Sequence, residues 1–249
     1  MALFETECLI LKSYNLSEAD KIVVFLTQDH GLVKGVAKGA KRLKSKFGGT
    51  LEPFSIVSLS YYQKEERELV SIRQIDLIKS YFKLASEPLF LQKFAYLSEL
   101  LIGFAPPHDP DERLYRMAKV CLESASENFQ TLESITFYFE LWLLRLGGYL
   151  PDWNKCGTCH RNLNDETAGL QTNFHLICKT CQKAKSNILI NKYDREVFNK
   201  AQKLSPANFI DDAADKTAEI QKISQILKRI ISQILGRELL SERILAAGS

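Results

Sequence analysis

Two short motifs constrain this chain more than anything else in it: Cys156-Gly-Thr-Cys159 and Cys178-Lys-Thr-Cys181, with eighteen residues between them. A two-residue gap lets both thiolates of a pair approach one ion from a tight knuckle, and Gly157, Thr158 and Thr180 are small enough for such turns. Two knuckles supply four sulfurs, which complete a tetrahedral shell and leave no coordination position for water. Cys156, Cys159, Cys178 and Cys181 are therefore expected to hold one structural Zn2+. Two disulfides would suit an oxidising compartment, and a redox motif would be a single pair beside a β-α-β unit. Spacing alone leaves an iron–sulfur cluster open beside zinc. His160 and His175 lie near the knuckles but are surplus to four thiolates, and Cys8 and Cys121 fall in apolar runs that suit a core.

The compartment follows from the first residues. Glu5 and Glu7 stand where a secretory signal would carry basic residues, and no apolar run with a small-residue cleavage site follows. The most apolar stretch, Phe137 to Leu146, is broken by Glu140 and Arg145, so a buried helix is expected and not a membrane span. A cytoplasmic protein is expected, where thiols stay reduced. With 45% hydrophobic residues the chain can build a sizeable core, and a net charge of +3 by itself selects no partner.

The first eighty residues read as β structure. Cys8–Ser13, Lys21–Gln28, Gly31–Ala37, Ser55–Tyr62 and Leu69–Ile78 are short runs rich in aliphatic and aromatic residues, separated by turn residues at Asn15, Asp29-His30-Gly31 and Gly48-Gly49. Five short strands point to a small closed barrel, since closure removes exposed edges. From Ser86 the pattern turns helical. Ser86 with Pro88 opens a helix bearing Leu91, Phe94, Ala95, Leu97 and Leu101; Asp109-Pro110-Asp111-Glu112 opens a second; Thr131 with Glu133 opens a third, apolar nearly all round, that stops at Gly147-Gly148. After the cysteines, Asp194–Leu204 ends at Pro206, Ala213–Leu235 carries an isoleucine-rich stripe, and Glu238–Leu245 forms a last turn.

Charge is distributed unevenly along the barrel. No acid occurs between Asp29 and Glu52, and within that gap stand Lys34, Lys38, Lys41, Arg42, Lys44 and Lys46, punctuated by glycines. Solvated faces usually mix both signs, so a one-sign loop suits a phosphate backbone, whose binding is driven by counterion release. Phe47, Phe54, Tyr61 and Tyr62 lie nearby as stacking faces, with core packing expected for Phe54 and one of the tyrosines. No nucleophile with a base stands out. His30 and His108 fall in turns, and the paired acids Glu65-Glu66 and Asp211-Asp212 read as a turn and a helix start. The chain is not expected to be an enzyme.

Three stretches in this order resemble the bacterial recombination mediator family RecO: Val36-Ala-Lys-Gly-Ala-Lys-Arg42 with Gly49-Thr-Leu-Glu-Pro-Phe54, then Phe139-Glu-Leu-Trp-Leu-Leu-Arg-Leu-Gly-Gly-Tyr-Leu-Pro151, then Leu235-Gly-Arg-Glu-Leu-Leu-Ser-Glu-Arg243. With the order of elements, the resemblance covers nearly the whole chain. It implies an α+β protein: an N-terminal five-stranded OB-fold β-barrel over residues 1–80, then an α-helical domain over 81–249 with a four-cysteine zinc-binding segment inserted at about 152–190. It further implies a non-enzymatic DNA-repair protein that binds single- and double-stranded DNA and anneals complementary strands. Such proteins contact the C-terminal tail of single-stranded-DNA-binding protein and, with RecR, help load RecA; no membrane and no small-molecule substrate is involved. In this sequence Lys38, Lys41 and Arg42 would lead the DNA surface with Lys34, Lys44 and Lys46 beside them, and Arg73 on the last strand is a further candidate. Arg113, Arg116 and Lys119 are candidates for the acidic partner tail. The residues leave one other class open, a zinc-containing protein–protein adaptor whose basic loop is incidental.

Overall fold

A computed structural model of the chain describes residues 2–64, 67–127, 131–237 and 239. Five strands, β1 (Ala2–Asn15), β2 (Lys21–Thr27), β3 (Gly31–Ala37), β4 (Ser55–Gln63) and β5 (Leu69–Ser80), close into a barrel in the order β1-β2-β3-β5-β4. This is the OB-fold arrangement expected from the sequence. All neighbours are antiparallel except β3 and β5, which meet in parallel over Lys34–Val36 and Leu69–Ser71. Strand β1 is longer than the expected Cys8–Ser13 because it serves two partners: Ala2–Leu9 pairs with β4, and Cys8–Asn15 pairs with β2 across a bulge at Ile10/Lys12.

The period-2 pattern explains which side chains fill the barrel. Ile10, Val23, Phe25, Val33, Val57, Leu59, Val70 and Ile72 point inward with Cys8. Gly35 occupies the tightest inward position, where a Cβ would stand 2.8 Å from Ile72. The β3–β4 connection also contributes to the interior: Phe47 and Leu51 are 1% and 2% exposed and join the same cluster. Phe47 is thus a core residue and not the stacking face its sequence context suggested.

Two helices, α1 (Pro88–Phe104) and α2 (Glu112–Glu127), belong with the barrel in one compact unit, while α3 (Leu132–Leu146), α4 (Lys192–Ala201), α5 (Pro206–Asp212) and α6 (Thr217–Leu235) form a second. Compactness therefore groups α1 and α2 with the barrel. Phe54, at φ 65°, donates its N–H to Ile10 O at 2.9 Å and packs edge-on against Phe90 and Phe94 of α1. From α2, Tyr115 and Lys119 donate to Glu7 of β1 at 2.8 and 2.6 Å. Burial pushes the Glu7 carboxyl up, but those two donors outweigh it and hold it below its ordinary value.

Several boundaries differ from the sequence expectation. Helix α1 begins after Glu87, because Ser86 spends its hydroxyl on Lys83 O at the end of a 3-10 turn, Phe82–Ser86. Its buried stripe runs Phe90, Phe94, Leu97 and Leu101, with Leu91 and Ala95 exposed. Asp111, not Asp109, starts α2: its carboxylate accepts from the amides of Arg113 and Leu114. Asn191 and Asp194 form a reciprocal capping box for α4. Pro206, with Ser205 as cap, opens α5, which leaves Asp211-Asp212 at a helix end and not a start. Helix α6 begins at Thr217, and a small sheet, β7 (Leu176–Ile177), β6 (Ala168–Leu170) and β8 (Leu189–Ile190), had no counterpart in the sequence pattern. Glu65-Glu66 and the expected turn Glu238–Leu245 lie outside the described residues, apart from the buried Leu239. In the second unit the middle of α3, Ile135 to Leu141, is buried on every side as anticipated, including Glu140, which accepts from Ser224 of α6 at 2.6 Å, while Glu133 and Arg145 near its ends are exposed.

Gly31 makes the barrel unit most sensitive to a single methyl. It sits at φ +66°, and a Cβ would stand 2.5 Å from Asp109 O. Gly31→Ala is expected to destabilise this unit by at least about 2 kcal/mol in urea denaturation. Gly49→Ala, which meets nothing within 4 Å, should stay within about 0.5 kcal/mol of the parent. Glu7 gives a pH signature. Because its folded pKa is depressed, its contribution is present above the ordinary value of 4.5 and lost as pH falls through the folded value. Glu7→Gln should remove that part of the acid dependence; an unchanged pH–stability profile would contradict the pairing.

Candidate nucleic-acid interface and metal centre

The outward side of the barrel is built by register. Lys12, Val24, Lys34 and Leu69 are successive partners across β1, β2, β3 and β5, and so share a face. The next row on that face is Tyr14, Ile22, Val36 and Ser71. Lys12 and Lys34 stand two strand spacings apart, about 10 Å. Lys12, Tyr14, Lys34 and Arg73 are exposed, the ammonium of Lys12 lies 6.0 Å from the Tyr14 ring centroid, and Arg73 lies over the ring of half-buried Tyr62. Further along the same face, Leu9, Leu26 and Leu32 form a row that is buried. Leu32 exchanges backbone hydrogen bonds with Pro106 and His108 of the segment after α1.

The basic loop is fastened at both ends. Its apolar residues Phe47 and Leu51 lie inside the barrel, while Lys38, Lys41, Arg42, Lys44 and Lys46 remain exposed. Gly39, at φ +71°, donates its N–H to Asp20 Oδ1 at 2.8 Å, and Lys41 donates its backbone N–H to Ala19 O at 3.0 Å. The Lys41 ammonium reaches Ser17 O at 3.2 Å, and the Lys46 ammonium donates to Arg73 O. The structure thus links the sequence-predicted cations through hydrogen bonds: Lys46 to Arg73, and Lys41 to the β1–β2 turn. Lys12 and Tyr14 escape a reading of the sequence because strict alternation from the inward Cys8 and Ile10 would turn both inward; the bulge at Ile10/Lys12 reverses the side they face.

The candidate residues on α2 are less available. Arg113 forms a fork with Asp111 and Lys119 pairs with Glu7, whereas Arg116 stands exposed.

In the second unit the four sulfurs of Cys156, Cys159, Cys178 and Cys181 lie within 4.8 Å of one another, and Cys159 and Cys178 are 3.9 Å apart. Tetrahedral Zn–S bonds of about 2.3 Å require sulfurs about 3.8 Å apart, so this donor set fits one such ion. Backbone amides of Thr158 and Cys178 point at Cys156 Sγ, and Thr180 Oγ1 lies 3.3 Å from Cys178 Sγ. Hydrogen bonds from Thr180 and Arg161 hold the Cys178 thiol down to about 5. Hydrogen bonding with Cys159 and Cys178 pushes Cys181 up to about 12, the conflict expected of crowded thiolates that a bound cation would relieve. Among the described residues no histidine or acid belongs to the cluster. The segment is tied to α4: Trp153, fully buried, stacks on Phe198 at 4.4 Å, and buried Arg195 donates to the carbonyls of Asn164 and Glu166.

With this geometry in place, comparison with known proteins decides the family. A model described as Recombination protein O N terminal matches residues 1–81, and one described as Recombination protein O C terminal matches residues 94–243. The chain belongs to the RecO family. It is 26% identical over 238 residues to a DNA repair protein RecO of Thermodesulfovibrio yellowstonii, with 94% of each chain covered. A DNA repair protein RecO of Caldanaerobacter subterraneus subsp. tengcongensis is 28% identical over 87% of this chain and 90% of its own. One of Koribacter versatilis is 30% identical over 65% of each. No helix among the described residues is long and apolar enough to cross a membrane.

Removal of one ligand tests the metal centre. Cys156→Ser is expected to abolish the difference between native and denaturing masses that one bound ion gives, and to expose Trp153, read by red-shifted emission in a Trp142→Phe background. A variant that kept the full mass difference would contradict the four-sulfur site.

Proposed function

We propose that this chain is a non-enzymatic DNA-repair protein of the cytoplasm, associated with the nucleoid, whose barrel binds single- and double-stranded DNA and anneals complementary strands. With RecR it helps load RecA onto DNA coated by single-stranded-DNA-binding protein. The observation that carries this is the acid-free loop: six cations between Asp29 and Glu52, five of them on a connection anchored by Phe47 and Leu51, beside Lys12 and Arg73 on the barrel. Family membership supports the DNA-repair role. The four cysteines are proposed to hold one structural Zn2+; tetrahedral sulfur suits zinc, and a closed shell has no open position for chemistry. For the acidic partner tail, Arg116 is the readiest cation, since a tail carboxylate would have to displace Asp111 from Arg113 and Glu7 from Lys119.

One observation favours the adaptor reading as a second role. A groove of about 760 Å³ in the cysteine segment is lined by Lys183, Lys185 and Arg229 over Leu170 and Ile177, with no acid among its described lining residues.

Titrations of labelled oligonucleotides across a salt series test the main reading. Lys38→Ala with Arg42→Ala should weaken binding and flatten the log–log salt slope by roughly 1.4 for a single strand, about 0.7 per phosphate contact. Unchanged affinity and slope would reject the loop as the DNA surface. If the groove is the adaptor site, Lys183→Glu with Arg229→Glu should abolish binding of an acidic peptide and leave DNA binding intact.

A further inference from the structure

The exposed cations of the barrel are interleaved with apolar side chains that the fold leaves uncovered. Leu43, between Arg42 and Lys44 in the basic loop, has a relative exposure of 103%, the highest among the exposed large hydrophobic residues. Leu51, in the same connection, is 2% exposed, so the loop does not lack the means to bury a leucine. The neighbouring β1–β2 turn carries Leu16 at 48% and the adjoining strand end carries Tyr14 at 42%. Leu16 and Leu43 stand on two turns joined by hydrogen bonds, through Gly39 to Asp20, Lys41 to Ala19, and the Lys41 ammonium to Ser17, and Tyr14 on the strand that leads into the first. Glu18 is the exposed acid of that turn.

Cations alone hold phosphates of duplex and single strand alike. Apolar side chains gain nothing from phosphates, and in a duplex the base faces are stacked inside. An unpaired strand offers those faces, to which an aromatic ring or an aliphatic wedge can apply itself. We infer that Tyr14, Leu16 and Leu43 form a base-contacting surface that gives the barrel a preference for unpaired strands over duplex. This rests on the proposal that the barrel binds DNA, and it assigns the discrimination to side chains that carry no charge. Basic–apolar tips also suit anionic membranes. Here, however, Tyr14 stands on the barrel face in the row next to that of Lys12, which favours a strand laid across the face.

The test compares parent, Leu43→Ser, Leu43→Ser with Leu16→Ser, and Leu43→Trp. Each is titrated with oligo-dT, with a duplex of equal length, and with phosphatidylglycerol vesicles, across a salt series. All substitutions are at exposed sites, and circular dichroism checks the fold. The double serine variant should lose about tenfold affinity for oligo-dT, with an unchanged salt slope and duplex affinity within twofold of the parent. The Leu43→Trp emission should be quenched on adding oligo-dT. Equal losses for single strand and duplex, no loss for either, or a loss confined to vesicles would overturn the inference, while a slope that still responds to Lys38 and Arg42 would leave the DNA surface standing. A parent protein that bound neither nucleic acid would overturn both.

Discussion

The burial of Phe47 and Leu51 inside the barrel is the contact on which the proposed function depends. A connection with five cations and two adjacent glycines would, by composition, be a mobile tether. Two apolar side chains in the barrel core, with Gly39 and Lys41 hydrogen-bonded to the β1–β2 turn, convert it into a fixed ridge of positive charge. Pre-ordered cations lose less entropy when a phosphate backbone arrives. The same anchoring presents Leu43 to solvent. The loop therefore has two faces with opposite physical requirements, and the core side sets the geometry of the solvent side.

The four cysteines do a different job in the other compact unit. Their knuckles hold a segment whose regular structure is a sheet of two- and three-residue strands, too little hydrogen bonding to persist alone. A metal in the sulfur cage would supply the missing folding energy, and Trp153 against Phe198 with Arg195 on the Asn164 and Glu166 carbonyls would transmit it to α4. A closed sulfur shell leaves no position for a substrate. On the proposed reading the four cysteines are a structural support, and the working surface lies on the barrel.

What could be read beforehand followed from local rules. Strand runs and the cysteine spacing are short-range signals with counterparts in the fold, and the missing acids between Asp29 and Glu52 correspond to an exposed basic connection whose role is proposed. The failures share a cause in longer-range context. Phe47 looked like a stacking face because its neighbours are charged, and only closure of the barrel buries it. Lys119 looked available because its partner, Glu7, is 112 residues away. The start of α1 was misplaced because Ser86 is used by the preceding turn, and α5 was hidden because Pro206 can end one helix or begin the next. Strands β6 to β8 are too short for any period to register.

Hydrogen exchange with and without a saturating single strand tests the central claim most directly, since it asks every segment at once where DNA lies. Protection is predicted at residues 12–22 and 34–47, the β1–β2 turn and the basic ridge, with residues 153–190 unchanged. Protection confined to the cysteine segment or to α2, with the ridge exchanging as freely as before, would contradict the account.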